Sequence, residues 1–289
     1  MGSMNPVCPV CGDPAVAYAK KNGYDFWRSP ACGLLFVWPF LKTPPQEIYQ
    51  SDYFSGAKAG FGYVDYDADK SVLEGFFRKF LKKLASQLPT RGRLLDVGAA
   101  TGHFVGLANE AAWQAQGIDI SAHSVALGVA KGLKMECATL DGFSAADGSF
   151  DVLTLWDVIE HVPDPFAALD RCRTLLKTGG LLAINTPDVD SWWARLMGPR
   201  WHALVPPEHI YIFNRRALGR MLRERGFEII EAKNPIKTFT LPYIVSTFAR
   251  WTGLTLPSSI KKILAKRIFS LIGIPLPLRD NLLILAKKA

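Results

Sequence analysis

The chain has 289 residues, of which 49% are hydrophobic and 21% are charged. This size and balance predict a globular protein with a sizeable core and exclude a disordered or fibrous chain. Its five cysteines, an odd number in a chain without a secretory-signal pattern, argue against a disulfide framework. Because no apolar run is long enough to span a bilayer, we expect a cytoplasmic location.

The positive charge is concentrated near the C-terminus. The net charge is +8, and the segment from Lys233 onward contains ten Lys or Arg residues against one acid, Asp280. This segment therefore holds the whole excess of positive charge. Such asymmetry predicts contact with an anionic surface, either a membrane or a nucleic acid.

Residues 4–45 are predicted to form a small β-rich module that resembles a zinc ribbon. Cys8 and Cys11 have the spacing of a zinc knuckle, and Cys32 belongs to a second, similar segment. A four-cysteine site would need a cysteine at position 29, which is Ser29. We expect a degenerate, metal-free ribbon, with a zinc ion held by the three cysteines as the alternative.

Residues 46–92 are predicted to be a helical linker or lid. Apolar residues recur at helical spacing between Asp65 and Leu88, and Pro89 ends the pattern. Beyond it, strands are predicted near 93–98, 114–120, 134–138, 150–156, 179–185, 227–232 and 281–287, with helices over 103–113, 121–131, 164–177 and 215–225. This alternation predicts an α/β domain over 93–289, with a mainly parallel sheet covered by helices on both faces.

A turn of small residues follows the first of these strands. It runs from Arg93 to Phe104 and joins the strand, through an acid and glycines, to the start of a helix. Such a turn lets a ligand approach backbone N–H groups at a helix N-terminus. About twenty residues later, Asp119 ends the second strand, where a carboxylate can bind a ribose diol. The two features together predict a nucleoside-cofactor site.

The pattern D-x-G-x-A-x-G, through Asp96, Gly98, Ala100 and Gly102, resembles the first motif of class I S-adenosylmethionine-dependent methyltransferases. The resemblance extends from about residue 90 to the C-terminus. It implies a Rossmann-like seven-stranded sheet whose last strand is antiparallel, and S-adenosylmethionine as the cofactor. By the same resemblance, further cofactor contacts fall on Asp119, Ile120, Thr139, Leu140, Asp141, Trp156 and Asp157. Asp141 alternatively serves as a plain turn residue before Gly142.

A second group of polar residues is predicted at the reacting end of the cofactor. Asp157, Glu160 and His161 follow the fourth strand, and His209 follows the fifth. The set resembles that of ubiquinone-pathway O-methyltransferases and small-RNA terminal 2′-O-methyltransferases, which implies that all four residues can hold a divalent cation. The competing interpretation is metal-free: Glu160, His161 and His209 are catalytic, and a neutral imidazole is the general base. His202 is a weaker candidate base.

An insertion over 236–278 separates the last two strands of the domain. Between Ile260 and Leu271, apolar residues recur at helical spacing with cations on the other side. The pattern is typical of a helix lying in a membrane interface, and a helix packed on its own domain is the alternative. The cations lie among apolar residues rather than between base-stacking aromatics, which argues against a nucleic-acid partner.

These features predict methyl transfer to a small or lipid-linked acceptor, at oxygen rather than nitrogen or carbon. The long aromatic loop over 191–213 is expected to form a lid or an acceptor wall, and a loop pinned to the core by its tryptophans is the alternative, which is compatible with the first. RNA methylation and a non-catalytic, cofactor-binding scaffold are the alternative functions.

Overall fold

The computed structural model describes residues 5–40, 73–88, 90–242, 244–245, 249, 254–255, 257–259 and 273–289. Its helices are α1 (Glu74–Gln87), α2 (His103–Glu110), α3 (Ala122–Ala130), α4 (Pro165–Leu175), α5 (Trp192–Met197) and α6 (Arg215–Glu224). The strands of its largest sheet are β4 (Arg93–Val97), β5 (Gln114–Asp119), β6 (Met135–Cys137), β7 (Phe150–Trp156), β8 (Leu176–Pro187), β10 (Phe227–Lys233) and β13 (Asn281–Lys288). The remaining strands are β1 (Val16–Lys21), β2 (Tyr24–Arg28), β3 (Leu35–Val37), β9 (Tyr211–Ile212), β11 (Lys237–Thr240) and β12 (Gly273–Leu276).

The seven-stranded sheet has the order β10-β13-β8-β7-β4-β5-β6. Strands β4 to β8 pair in parallel, whereas β13 is antiparallel to both β8 and β10. The predicted fold class is therefore confirmed, including the antiparallel last strand. The chain leaves β4 for β5 on one side and returns to β7 on the other. Ligands of such sheets bind at this reversal, outside the carboxyl ends of the strands.

Both faces of the sheet are covered by apolar side chains. On one face, β7 residues Leu153 and Leu155 belong to a cluster that includes Leu169 of α4 and Leu218 of α6. On the other face, a second cluster joins the sheet to α1 and α2. Helix α4 begins with a side-chain cap, since Asp164 accepts hydrogen bonds from the N–H groups of residues 166 and 167. These contacts fix the carboxyl edge of the sheet, where the site lies.

The N-terminal module is continuous with the main domain. Strands β1, β2 and β3 form an antiparallel sheet whose fourth strand is β9, with Leu35 opposite Ile212 and Phe36 opposite Tyr211. The sequence does not predict β9, because two residues are too few to show an alternating pattern. The domain boundaries predicted at residues 45 and 92 stay predictions. Residues 41–72 lie outside the described part of the chain.

The insertion begins and ends with two paired strands. β11 and β12 form an antiparallel pair in which Lys237 lies opposite Leu276. The predicted amphipathic helix near 260–271 lies outside the described residues. Among the residues that are described, no helix has both the length and the apolar character needed to cross a bilayer.

Candidate active site

The turn after β4 is held against the end of β5 by backbone hydrogen bonds. The N–H groups of Gly98 and Ala99 both donate to the carbonyl oxygen of Ile118, at 2.9 and 3.0 Å. Gly98, Ala100 and Gly102 all have positive φ, at 71°, 47° and 79°. This alternation of left-handed residues makes the tight turn that the small-residue pattern predicts.

Position 98 requires glycine for two reasons, its positive φ and the lack of room for a side chain. A Cβ atom added there would lie 2.5 Å from Cγ2 of Val158. Val158 precedes the 3₁₀ turn Ile159–His161, so the glycine turn and the segment carrying Glu160 and His161 are in direct contact. The turn predicted to bind the cofactor therefore lies beside the segment that carries two of the predicted catalytic residues.

Ala100 is the strained member of the turn, because its Cβ disfavours a positive φ. We expect Ala100→Gly to raise the free energy of unfolding by about 0.5–1 kcal/mol, as measured by urea denaturation. The same substitution at exposed Ala126, inside α3, should lower it by about 1 kcal/mol. A loss of stability in both variants would mean that the turn relaxes away from this conformation in solution.

Asp119 connects the loops that follow β4 and β5, at the point where the strand order of the sheet reverses. One of its carboxylate oxygens accepts from the N–H of Ala100 and the other from the N–H of Ser121, both at 2.8 Å. Burial raises the pKa of this carboxyl group, while the hydrogen bonds oppose that shift. Each oxygen keeps a second lone pair, so the carboxylate can hold the turn and still accept from a ribose diol. The sequence predicts the second role but not the first.

The other predicted cofactor residues line the same edge of the sheet. Asp96 is buried and its Oδ1 accepts from the hydroxyl of Thr154 at 2.6 Å, a partner that sequence reasoning missed. Leu140 is half-buried, and Ile120 directly follows β5. Thr139 uses its hydroxyl to accept from the N–H of Gly142, which shapes the loop. The Asp141 side chain in the same loop is exposed.

The side chain of Trp156 packs in the core. Its indole is buried against Phe77 and Phe80 of α1 and Phe104 of α2, with ring centroids 5.0–5.1 Å apart. The side chain is thus part of the core beneath the sheet. Helix α1 covers the sheet face onto which the Trp156 side chain points. The placement of residue 156 beside the transferable methyl group stays a prediction.

The carboxylate of Asp157 joins three strands. Its Oδ1 accepts from the amide groups of Asn185 and Asn281, at 2.6 and 3.0 Å. Its φ is 55°, a strained value for a residue with a side chain. The carboxylate therefore anchors the end of β7 to β8 and β13, and Asp157 is absent from the group of ligand atoms formed by Glu160, His161 and His209.

Glu160, His161 and His209, hereafter the Glu-His-His cluster, are brought together from two segments. One potential ligand atom from each lies within 4.8 Å of those of the other two. Glu160 is fully buried, and its Oε2 accepts from the hydroxyl of Thr186. The two imidazole rings are 4.6 Å apart between centroids. These are the residues that the sequence predicts as the chemical centre, without Asp157.

The orientation of both imidazoles is fixed by backbone carbonyl groups. Nδ1 of His161 lies 2.9 Å from the carbonyl oxygen of Glu208, and Nδ1 of His209 lies 2.7 Å from that of Ala203. A carbonyl oxygen only accepts, so each Nδ1 carries the proton and donates it. In this tautomer the lone pair is on Nε2, the atom through which an imidazole can bind a cation or accept a proton.

Burial also keeps both rings neutral. Loss of hydration lowers the pKa of His161 to about 4 and that of His209 to about 3. At pH 7 the cluster therefore combines two neutral imidazoles with one buried carboxyl group. His202 is separate from it, since its Nε2 lies 3.3 Å from Oδ2 of Asp280 and it contributes no ligand atom to the cluster.

The aromatic loop has both a structural and an exposed part. Trp201 is 1% exposed and packs in a cluster with Phe26 and Leu35 of the N-terminal module. Trp192 is 50% exposed, and its indole N–H donates to the carbonyl oxygen of Pro277. Trp201 therefore pins the loop to the core, while Trp192 offers an apolar surface.

The glycine turn and the Asp119 carboxylate together fit S-adenosylmethionine. The turn presents no side chain larger than Ala between Gly98 and Ala100, and Asp119 supplies a carboxylate at the neighbouring strand end. Residues 70–232 match a family model described as "Methyltransferase domain". This match covers more than half of the chain, and the chain belongs to that family. Residues 70–232 are thus a methyltransferase domain.

Curated relatives carry a more specific description. The chain is similar to the ubiquinone biosynthesis O-methyltransferase of Burkholderia pseudomallei, with 27% identity over 156 residues, 49% of this chain and 66% of that protein. It is 30% identical over 162 residues to the protein of the same description from Cereibacter sphaeroides, covering 48% and 65% of the two chains. The match thus spans less than two thirds of the length of these relatives.

Solved structures agree on the fold. A crystal structure of an S-adenosylmethionine-dependent methyltransferase from Archaeoglobus fulgidus superposes with a TM-score of 0.51 at 18% identity, covering 76% of this chain and 97% of the other. At this identity the similarity concerns the fold alone. The acceptor has to be inferred from the site itself.

Proposed function

We propose that the protein transfers a methyl group to a hydroxyl group of a small, apolar acceptor. The observation that carries this proposal is the contact between the glycine turn and the segment bearing the Glu-His-His cluster, through Gly98 and Val158. The names of the curated relatives support oxygen as the methylated atom.

The chain supplies position and electrostatics for this reaction. Bound S-adenosylmethionine supplies an electrophilic methyl group on a positively charged sulfur. Direct transfer gains most from alignment of the two reactants, which the rigid ends of β7 and β8 provide. The hydroxyl group must lose its proton, and the cluster is the polar group beside the turn that can assist this loss.

The cluster also fits a divalent cation, and we propose that it holds one. Two neutral imidazoles and a carboxylate are a mixed nitrogen and oxygen donor set, and three protein ligands leave a position for another group. The fixed Nδ1 hydrogen bonds of His161 and His209 are the usual support of metal-ligating histidines. A cation there would lower the pKa of an acceptor hydroxyl group.

Turnover with a panel of phenolic and lipid-linked hydroxyl compounds tests both parts of the proposal. We expect methyl transfer to at least one of them, a loss of about 100-fold or more after metal removal by a chelator, and recovery on adding a divalent cation. Mass spectrometry of the product identifies the methylated atom.

The results separate the two parts. Turnover on oxygen that is insensitive to chelators, in protein that contains no metal, would remove the cation and leave the neutral imidazoles as proton acceptors. Methylation confined to amines or carbon atoms across the panel would overturn the hydroxyl proposal itself.

We also propose that the basic insertion contacts a membrane and that the acceptor is lipid-linked. The cations Lys261, Lys262, Lys266 and Arg267 lie among apolar residues in the sequence. Each cation near an anionic surface contributes about 1 kcal/mol, so replacing all four by Gln should weaken binding to anionic vesicles roughly a thousandfold.

Vesicle co-sedimentation measures this effect. Wild-type protein should sediment with vesicles that contain anionic lipid and remain in solution with neutral ones. A matched variant that replaces Lys79, Lys82, Lys134 and Arg223, all exposed and outside the insertion, should bind as wild type does. Equal binding by the two variants would contradict membrane contact through residues 236–278.

A further inference from the structure

The N-terminal module contains a second cluster of metal-binding side chains, far in sequence from the catalytic residues. Ligand atoms of Cys8, Cys11 and Cys32 all lie within 4.8 Å of one another, and Sγ of Cys8 is 3.5 Å from Sγ of Cys32. Zinc–sulfur bonds of about 2.3 Å in a tetrahedron place sulfur atoms about 3.8 Å apart. The three thiols are therefore already near the spacing of zinc ligands.

Ser29 lies beside this cluster, and its hydroxyl oxygen accepts from the N–H of Cys32 at 3.2 Å. Its hydroxyl oxygen lies 3.2 Å from Sγ of Cys11, and its side chain is fully buried. Serine at this position favours a metal-free ribbon when the sequence is considered alone. In the structure, however, its oxygen lies beside the thiols, where a fourth donor would be needed.

The backbone around the cysteines has the form of two matching loops. The loops end at Gly12 and Gly33, which follow Cys11 and Cys32 and both have a φ of 80°. The N–H of Gly12 donates to the carbonyl oxygen of Cys8, and the N–H of Gly33 donates to that of Ser29. Ser29 therefore holds in the second loop the position that Cys8 holds in the first.

The surroundings close the site. Cys8 and Cys32 are 1% and 3% exposed. A buried, four-donor site of this type is structural rather than catalytic, because it leaves no position for a substrate.

We infer that Cys8, Cys11, Cys32 and Ser29 bind a structural zinc ion. The site is linked to the catalytic cluster through the main chain. The amide of Asn214 donates to the carbonyl oxygen of Cys32, and β3 pairs with β9, which begins two residues after His209. Zinc binding would therefore stabilise the segment that holds His209 in place.

Metal content of the full-length protein, purified under reducing conditions without chelator, tests this inference. We expect one zinc ion per chain at this site, and a thiolate-to-metal charge-transfer band after replacement by Co²⁺. The band assigns the metal to sulfur and so distinguishes this site from the Glu-His-His cluster, which has no sulfur ligand.

Variants locate the ion. Cys11→Ser should lose the Co²⁺ band, whereas Cys137→Ser, at an exposed cysteine on β6, should keep it. Ser29→Cys should strengthen the band and resist a competing chelator for longer, because it completes a four-thiolate site. This variant keeps the test decisive if Cys11→Ser fails to fold.

Three results would overturn the inference. These are a wild-type protein that yields no thiolate band with Co²⁺, a band that persists unchanged in folded Cys11→Ser, and a disulfide between Cys8 and Cys32 in the native protein. The last is directly visible by mass spectrometry of non-reduced peptides.

Discussion

Asp119→Ala is expected to weaken S-adenosylmethionine binding about 100-fold, since two hydrogen bonds to a charged acceptor are worth about 3 kcal/mol together. The substitution also leaves the buried N–H groups of Ala100 and Ser121 without their acceptor. Each such loss costs about 1–3 kcal/mol, so the free energy of unfolding should fall as well. Calorimetric titration and urea denaturation measure the two effects separately.

A matched control separates binding from folding. Asp147→Ala removes an exposed acid from the same domain and should change neither quantity by more than about 0.5 kcal/mol. The binding loss in Asp119→Ala should persist at temperatures where circular dichroism shows the variant to be fully folded. Wild-type affinity in a folded Asp119→Ala protein would contradict the proposed ribose contact.

His209→Asn is expected to lower the rate of methyl transfer by about 100-fold or more, the usual contribution of a catalytic acid–base or ligand side chain. Asparagine can still donate to the carbonyl oxygen of Ala203 but lacks an equivalent of Nε2. Glu160→Gln keeps the shape of the buried side chain, removes its charge and should have an effect of similar size. In both variants the affinity for S-adenosylmethionine should stay within about threefold of wild type, because the predicted ribose and adenine contacts fall on other residues.

His123→Ala on α3 is the control for this pair, since His123 is exposed and lies outside the cluster. His202→Ala tests the competing base directly. A loss of turnover in His202→Ala that exceeds the loss in His209→Asn would move the chemical centre to the His202–Asp280 pair.

The parts of the fold that depend on local pattern could be predicted from the sequence. Apolar runs identify β4, β7 and β8, and the small residues from Gly98 to Gly102 specify a turn that few other conformations satisfy. The number of residues from the glycine turn to Asp119 identifies the end of β5, because one helix and one strand fit into that length. The Glu-His-His cluster could be predicted because the carboxyl ends of neighbouring parallel strands meet at one edge.

The parts that depend on pairing between distant segments could not be predicted. Alternation along β7 places Val152 and Trp156 on one face, yet nothing local shows that α1 covers that face. The amides that hold Asp157 come from β8 and from β13, which follows 124 residues later. The pairing of β3 with β9 likewise joins segments whose own patterns are too short to show a strand. Long-range contacts of this kind decide which acids bind ligand and which support the backbone.

The proximity of the cofactor's methyl group to the Glu-His-His cluster can be measured by NMR with ¹³C-methyl S-adenosylmethionine and Mn²⁺. If the two share one site, Mn²⁺ should strongly broaden the methyl resonance of the bound cofactor in wild-type protein, and the effect should disappear in His209→Asn. A sharp methyl resonance in wild-type protein, with both the cofactor and Mn²⁺ shown to be bound, would contradict the account.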